Sequence, residues 1–415
     1  MDRVTSTASS NVSLDALANG EIERLVWLTG NNFSGRSAIL HDACDRYADR
    51  PGSAIYIPPE LHNAISGLVP TVKEEILLHL GRCERKDHYW NLTKEWGLAT
   101  FANRDPFTLS GGEQSLLVIL CKLALEPKLL AMDGALEQLD LDNSRRILSL
   151  VCSAGSAPML PQILLTHNGC LPEKFSANIH HLSASTFKDV VRMDPPPPLD
   201  ASRFDPPQVC EPASVVLQDL AFHYPHGTTV FHKLNLRLEP GRIYRLAGPN
   251  GCGKSTLARL LTGVLRPSCG RILLNGKPFN SYAWPGTLAR LHFQSPDSQL
   301  FESTVRDELK SLPAPAALAA ARFAGLEGFL DQHPFDLPFV LRKRLALTLV
   351  FHTSAPWLIF DEPTLGQDET TRTALGHSLR KLAMAGHGII LISHNSEFAQ
   401  SFSDEELNLG KITNA

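Results

Sequence analysis

Short, uninterrupted apolar runs recur along the chain, each followed by a longer stretch of mixed polarity. Leu25–Leu28, Leu129–Met132, Ile163–Leu165, Leu358–Phe360 and Gly388–Ile392 are the clearest. Runs this short, with no polar alternation, are what parallel strands buried on both faces require. Arg242–Ala247 reads as another such strand and Gly270–Gly276 as a strand-like segment. Ser144–Cys152, Leu257–Leu261 and Thr370–Ala385 read as helices between strands. This alternation predicts an α/β fold with a parallel sheet.

The pattern occurs twice. Gly30-Asn-Asn-Phe-Ser-Gly-Arg-Ser37 has the shape of Gly248-Pro-Asn-Gly-Cys-Gly-Lys-Ser255. Pro70–Ile76 echoes Ser303–Leu309, and Leu109-Ser-Gly-Gly-Glu-Gln114 has its counterpart at Leu337-Pro-Phe-Val-Leu341. Leu129–Asp133 matches Trp357–Asp361, and Ile163-Leu-Leu-Thr-His167 matches Ile390-Leu-Ile-Ser-His394. Matched landmarks in one order point to a duplication. The first copy is trimmed: 41 positions separate Gly30 from Thr71, against 56 between Gly248 and Thr304, and nothing in it answers to Gly270–Gly276. The predicted division is a polar segment over 1–21, a trimmed first domain over 22–191, a proline-rich linker over 192–213 and a second domain over 214–415. Pro195–Pro198, Pro206, Pro207 and Pro212 make that linker an extended, semi-rigid spacer.

Gly248-Pro249-Asn250-Gly251-Cys252-Gly253-Lys254-Ser255-Thr256 fits G-x-x-x-x-G-K-[ST], a phosphate-binding loop. Glycines let the backbone curl so that successive N–H groups face phosphate oxygens. The following helix adds its positive dipole end. Lys254 would reach the β- and γ-phosphates and Ser255 would offer a hydroxyl to Mg²⁺. A chance glycine-rich turn is the plain alternative, but a strand before the loop and a helix after it are the context the motif demands. Cys252 lies near that helix start, where a thiolate is favoured, although a small space-filling residue is the simpler reading.

Composition narrows the functional class. Apolar content is 43%, charged content 20% and net charge −4. This is ordinary globular composition with no basic field to gather nucleic acid. No apolar run approaches the length of a membrane span, and Met1–Ser13 shows no secretory pattern. The eight cysteines include no C-x-x-C pair, which reads as reduced intracellular thiols with no zinc site.

Together, Gly248–Thr256, Leu358-Ile-Phe-Asp-Glu-Pro-Thr364, Leu109-Ser-Gly-Gly-Glu113 and the histidines at 167 and 394 resemble the ATP-binding cassette (ABC) ATPases. The resemblance is weaker over 22–190 and strong over 214–412. Phe293–Phe301 followed by Thr304–Leu309 resembles the energy-coupling factor (ECF) importers of cobalt and vitamins. The resemblance implies two P-loop ATPase domains in tandem, each a mainly parallel sheet with a helical subdomain. It implies ATP and Mg²⁺ as cofactors. ATP would be clamped between the phosphate loop of one domain and the signature of the other, here by intramolecular pairing.

In the competent site Asp361 would hold the Mg²⁺ shell, with Ser255 and Gln294. Glu362 would polarise the attacking water, and His394 would contact the γ-phosphate. Tyr224 resembles the adenine-stacking aromatic. Ser110, Gly111, Gly112 and Glu113 would close over the nucleotide, and Asp140 and Asp368 match the loops that cross between sites. The second site departs from the family pattern. Arg36 stands in place of lysine, Gly134 in place of the catalytic glutamate, Pro58 and Pro59 near the missing glutamine, and Pro338-Phe339-Val340 in place of Ser-Gly-Gly; Asp133, Ser37 and His167 remain.

The expected function is the ATP-hydrolysing subunit of an importer of a vitamin or transition-metal ion, peripheral on the inner face of the membrane. Its implied partners are a transmembrane coupling subunit and a substrate-capturing membrane subunit. A soluble tandem ABC ATPase acting on ribosomes or nucleic acid is the alternative, and a decayed scaffold a further one. The proline-rich linker and the intact Lys254, Glu362 and His394 favour transport.

Overall fold

The computed structural model describes residues 25–29, 32, 34–48, 53–81, 83, 85–109, 111–136, 139, 141–152, 162–166, 180–183, 197–209, 211–224, 229–249, 251–312, 314–393 and 395–412. The chain forms two compact units, Met1–Pro195 and Pro196–Ala415.

The first unit is built on a five-stranded sheet of β1 (Leu25–Thr29), β2 (Ala54–Ile57), β3 (Leu129–Asp133), β4 (Gln162–Thr166) and β5 (His180–Ser183). Its order is β2-β3-β4-β1-β5, and the pairings are parallel. The second unit repeats that plan with β8 (Ile243–Ala247), β11 (Ala289–His292), β12 (Trp357–Asp361), β13 (Gly388–Ile392) and β14 (Glu405–Asn408). Their order, β11-β12-β13-β8-β14, is the same order in repeat numbering, again parallel. Four further strands, β6 (Val215–His223), β7 (Thr229–Leu238), β9 (Cys269–Leu274) and β10 (Lys277–Phe279), form an antiparallel sheet in the order β10-β9-β6-β7. Among the described residues the first unit has no such sheet.

The burial pattern explains which strands pair in which way. Along β13 every residue is buried, and along β12 all but the last, as central parallel strands need. Along β6 burial alternates over much of the strand, because one face of an antiparallel sheet meets solvent.

Alternate residues of each parallel sheet serve two cores. In the first unit Val26, Leu28, Ala131 and Leu164 pack with Ile39 and Leu40 of α1 (Arg36–Tyr47). Leu25, Leu130, Met132 and Leu165 pack with α2 (Gly111–Leu123) on the other face. In the second unit Tyr244, Leu246, Ile359 and Ile390 meet Leu257 and Leu260 of α3 (Lys254–Leu261) and the antiparallel sheet. Ile243, Leu358, Phe360 and Leu391 meet α4 (Phe339–Phe351) and α5 (Glu369–Met384). Each fully buried Leu, Ile or Phe contributes on the order of 1.5–3 kcal/mol.

The proline-rich stretch differs from the expected spacer. Its described part belongs to the second unit's core, with Leu199 and Phe204 buried at 3% and 2% exposure. Arg344 Nη1 donates to Pro197 O at 2.8 Å, and Lys381 Nζ to the carbonyls of Ala201 and Phe204, each at 2.9 Å.

Candidate nucleotide site

The C-terminal ends of β8, β11, β12 and β13 form one edge of the second unit's sheet, and Lys254, Ser255, Gln294, Asp361 and Glu362 collect there. In open parallel sheets this is the edge at which ligands bind. Gly248, Gly251 and Gly253 carry φ of 145°, 79° and 100° between β8 and α3, values that L side chains rarely adopt. Gly253 also lacks room for a side chain: a Cβ there would lie 2.6 Å from Val230 Cγ1 and 2.7 Å from Phe231 Cζ.

Lys254 Nζ donates to Gly248 O at 2.8 Å and to Pro249 O at 3.1 Å, so the ammonium is folded over the loop. Ser255 Oγ donates to Asp361 Oδ2 at 3.0 Å. Burial at the end of β12 raises the Asp361 pKa above the usual carboxylate value, and the Ser255 bond opposes this. A strand-end carboxylate beside a hydroxyl and a lysine is a donor set that suits a hard cation carried by phosphates, so the residues fit Mg²⁺ and a nucleotide.

Glu362 follows Asp361 at φ 49°, a left-handed turn that is rare for a non-glycine residue. Its N–H donates to Ile392 O at 2.9 Å, and its buried carboxylate has Ser393 Oγ 3.5 Å from Oε2. Gln294 lies two residues past β11. Its carbonyl accepts from Nζ of Lys343, a fully buried lysine of α4, at 3.0 Å. Gln299 ties the same loop down, accepting from Phe293 N at 2.9 Å and donating to Ala346 O at 2.8 Å. Tyr224 packs edge-on against Phe222, its hydroxyl 3.2 Å from Thr256 Oγ1 at the loop's end. Half-buried Cys252 lies against Gly248, where a Cβ would sit 2.6 Å from its sulfur.

Asn250, His394, Ser110, Asp140 and His167 lie outside the described residues. Gly111, Gly112 and Glu113 open α2, with Gly112 buried and Gly111 O accepting from Ser115 Oγ at 3.0 Å. Asp368 caps α5, its Oδ1 accepting from Thr371 N at 2.9 Å. Sequence reasoning missed Lys343, Gln299 and Ser393. Ser393 carried a signal, standing directly before His394 in a matched landmark, and so did Gln299, inside the Phe293–Phe301 stretch; Lys343 carried none.

The first unit holds the same frame with other chemistry. Arg36 opens α1 after Gly35 at φ 91°, and its Nη2 donates to Asn32 Oδ1 at 3.3 Å. Gly134 turns at φ 65° after Asp133 and donates to Thr166 O at 3.2 Å, the turn of Glu362 without a carboxylate. Pro59 lies two residues past β2, in the register of Gln294. One landmark needs correction. Thr166 pairs with Asp133 as Ile392 pairs with Asp361, so its counterpart is Ile392 and not Ser393. Matching Thr-His to Ser-His slips by one position, because Thr166 is the last residue of β4 whereas Ser393 follows the end of β13.

Residues 231–365 match the ABC transporter family. A putative ABC transporter ATP-binding protein of Methanosarcina acetivorans is 27% identical over 77% of this chain, which spans 64% of that relative's length. A putative ABC transporter ATP-binding protein of Pyrococcus abyssi is 33% identical over 47% of this chain and 79% of its own. An energy-coupling factor transporter ATP-binding protein of Methanocaldococcus jannaschii is 32% identical over 46% of this chain and 74% of its own.

Proposed function

Since the chain belongs to the ABC transporter ATP-binding proteins, we propose that its second unit binds and hydrolyses ATP to drive import of a micronutrient, a vitamin or a transition-metal ion, through separate membrane subunits. The observation that carries the reading is the Ser255–Asp361 contact at the mouth of a left-handed glycine loop, with Glu362 turned into the same edge. Lys254 and the α3 N-terminus bind and orient the phosphates. Glu362 takes the proton side of the attacking water. Bound Mg²⁺ would be held by Ser255 and Asp361, with Gln294 beside it, and would supply charge neutralisation on the phosphates.

The two units retain complementary parts, an intact loop and carboxylates in the second and a Ser-Gly-Gly signature in the first. The competent site is therefore proposed to combine them, with Ser110, Gly111 and Gly112 closing over the γ-phosphate, His394 contacting it and Tyr224 stacking on the base. The membrane partners are a transmembrane coupling subunit and a substrate-capturing subunit, which would place the chain on the inner face. No helix among the described residues is long and apolar enough to cross a membrane itself.

ATP hydrolysis by the purified chain tests this. Glu362→Gln is expected to lower turnover about 10²-fold or more, while Arg36→Ala keeps it. Turnover that survives Glu362→Gln, or is lost in Arg36→Ala, would overturn the asymmetric reading.

A further inference from the structure

In the first unit the strand-end carboxylate is already taken by protein. Tyr56 Oη donates to Asp133 Oδ2 at 2.9 Å, and Thr166 Oγ1 donates to Asp133 Oδ1 at 2.6 Å. Both carboxylate oxygens are engaged by hydroxyls from the neighbouring strands β2 and β4. Sheet register places Leu291 and Ile392 at the same positions of the second unit. Neither can donate, and there Asp361 Oδ2 accepts from Ser255 of the phosphate loop instead.

Tyr56 is fixed in this role. Its ring lies 3.9 Å from the His41 ring on α1, with 35° between the planes. Burial, reinforced by Asp133, raises its pKa, so the hydroxyl stays protonated and remains a donor. Hydrogen bonds to a carboxylate are the stronger kind, and a divalent cation at Asp133 would have to compete with one of them at whichever oxygen it bound. At the head of α1 the lysine that would meet phosphates is Arg36, a wide planar group bonded to Asn32 of its own loop. Pro59 replaces the glutamine. The residues here do not fit a magnesium nucleotide.

We propose that the first unit excludes Mg²⁺-ATP, so that the chain carries one nucleotide, and that Tyr56 together with Thr166 closes the site. This rests on the reading of the second unit as the ATP site. The first unit then acts as a fixed partner that lends its signature without cycling through nucleotide states of its own.

Equilibrium dialysis with radiolabelled ATP and Mg²⁺, paired with photolabelling by 8-azido-ATP and mapping of the labelled peptides, tests the proposal on the full chain. One ATP per chain is expected, with label confined to the second unit and the count falling towards zero in Lys254→Ala. Two ATP per chain, or first-unit label that persists in Lys254→Ala, overturns the exclusion while leaving the second-unit reading intact. Label absent from both units fits the exclusion and overturns the reading of the second unit. A triple variant that copies the second unit, Arg36→Lys with Tyr56→Leu and Thr166→Ile, is expected to gain label in the first unit. If it folds with native circular dichroism and gains none, Tyr56 and Thr166 are not what closes the site.

Discussion

Glu362 and Gly134 occupy one turn in two copies and show what a carboxylate at the proposed catalytic position costs. At φ 49° Glu362 holds a backbone conformation that costs an L residue roughly 1–2 kcal/mol, whereas Gly134 adopts 65° without strain. Glu362→Gly is therefore expected to lose turnover about 10²-fold or more while its melting temperature holds or rises. Glu362→Gln is expected to lose turnover with no such gain. Calorimetry on both variants checks this, and a melting temperature that drops in the glycine variant would mean that the contact with Ser393 outweighs the strain. The phosphate loop, Asp361 and Glu362 were legible in the sequence because phosphate and cation chemistry demand those residue types at fixed local spacing. Lys343 and Tyr56 were not. Their partners lie 49 and 77 positions away, and only the folded sheet brings them together.

At the scale of elements, strand patterning announced the central strands of the two parallel sheets, β1, β3, β4, β8, β12 and β13, because continuous apolar runs have few other uses, but not their edge strands β2, β5, β11 and β14 or the antiparallel pairing of β6, β7 and β10. The proline-rich stretch was harder, since its composition describes a spacer while its fate depends on what it meets. Phe204 lies against Phe323 and Phe351 with ring centroids 4.9 Å and 5.3 Å apart, so one aromatic turns the strap into core. The buried Arg344 guanidinium, bonded to Pro197 O and Thr371 Oγ1, fastens the same strap to α4 and α5. Phe204→Ala is expected to cost the second unit about 3–5 kcal/mol, the range for a buried Phe truncated to Ala. Urea unfolding followed by circular dichroism measures it, and a cost under about 1 kcal/mol would mean that the strap lies loosely on the unit.

For the molecule as a whole, the duplication supplies two copies of one frame whose buried chemistry has diverged, and acid is a way to tell them apart. His292 ends β11 with its ring fully buried. Burial, and then the nearby Lys343 cation, holds its pKa well below the usual imidazole value. The first unit has Ile57 in that register. His352 on the same unit is also lowered by burial, with Thr348 O working the other way. The unfolded chain takes up these protons near the ordinary value of 6.5, and the folded unit does so only at lower pH. Between the two values the unfolded state binds more protons, so stability is complete above about pH 6.5 and is lost as pH falls below it. Calorimetry from about pH 7.5 to about pH 5 should show a declining melting transition, assigned to the second unit by its upward shift with Mg²⁺-ATP. His292→Ile, which copies the first unit, should flatten that decline. A transition that stays level into acid, or a slope unchanged in His292→Ile, would show that burial of the His292 ring is not what makes the second unit acid-sensitive.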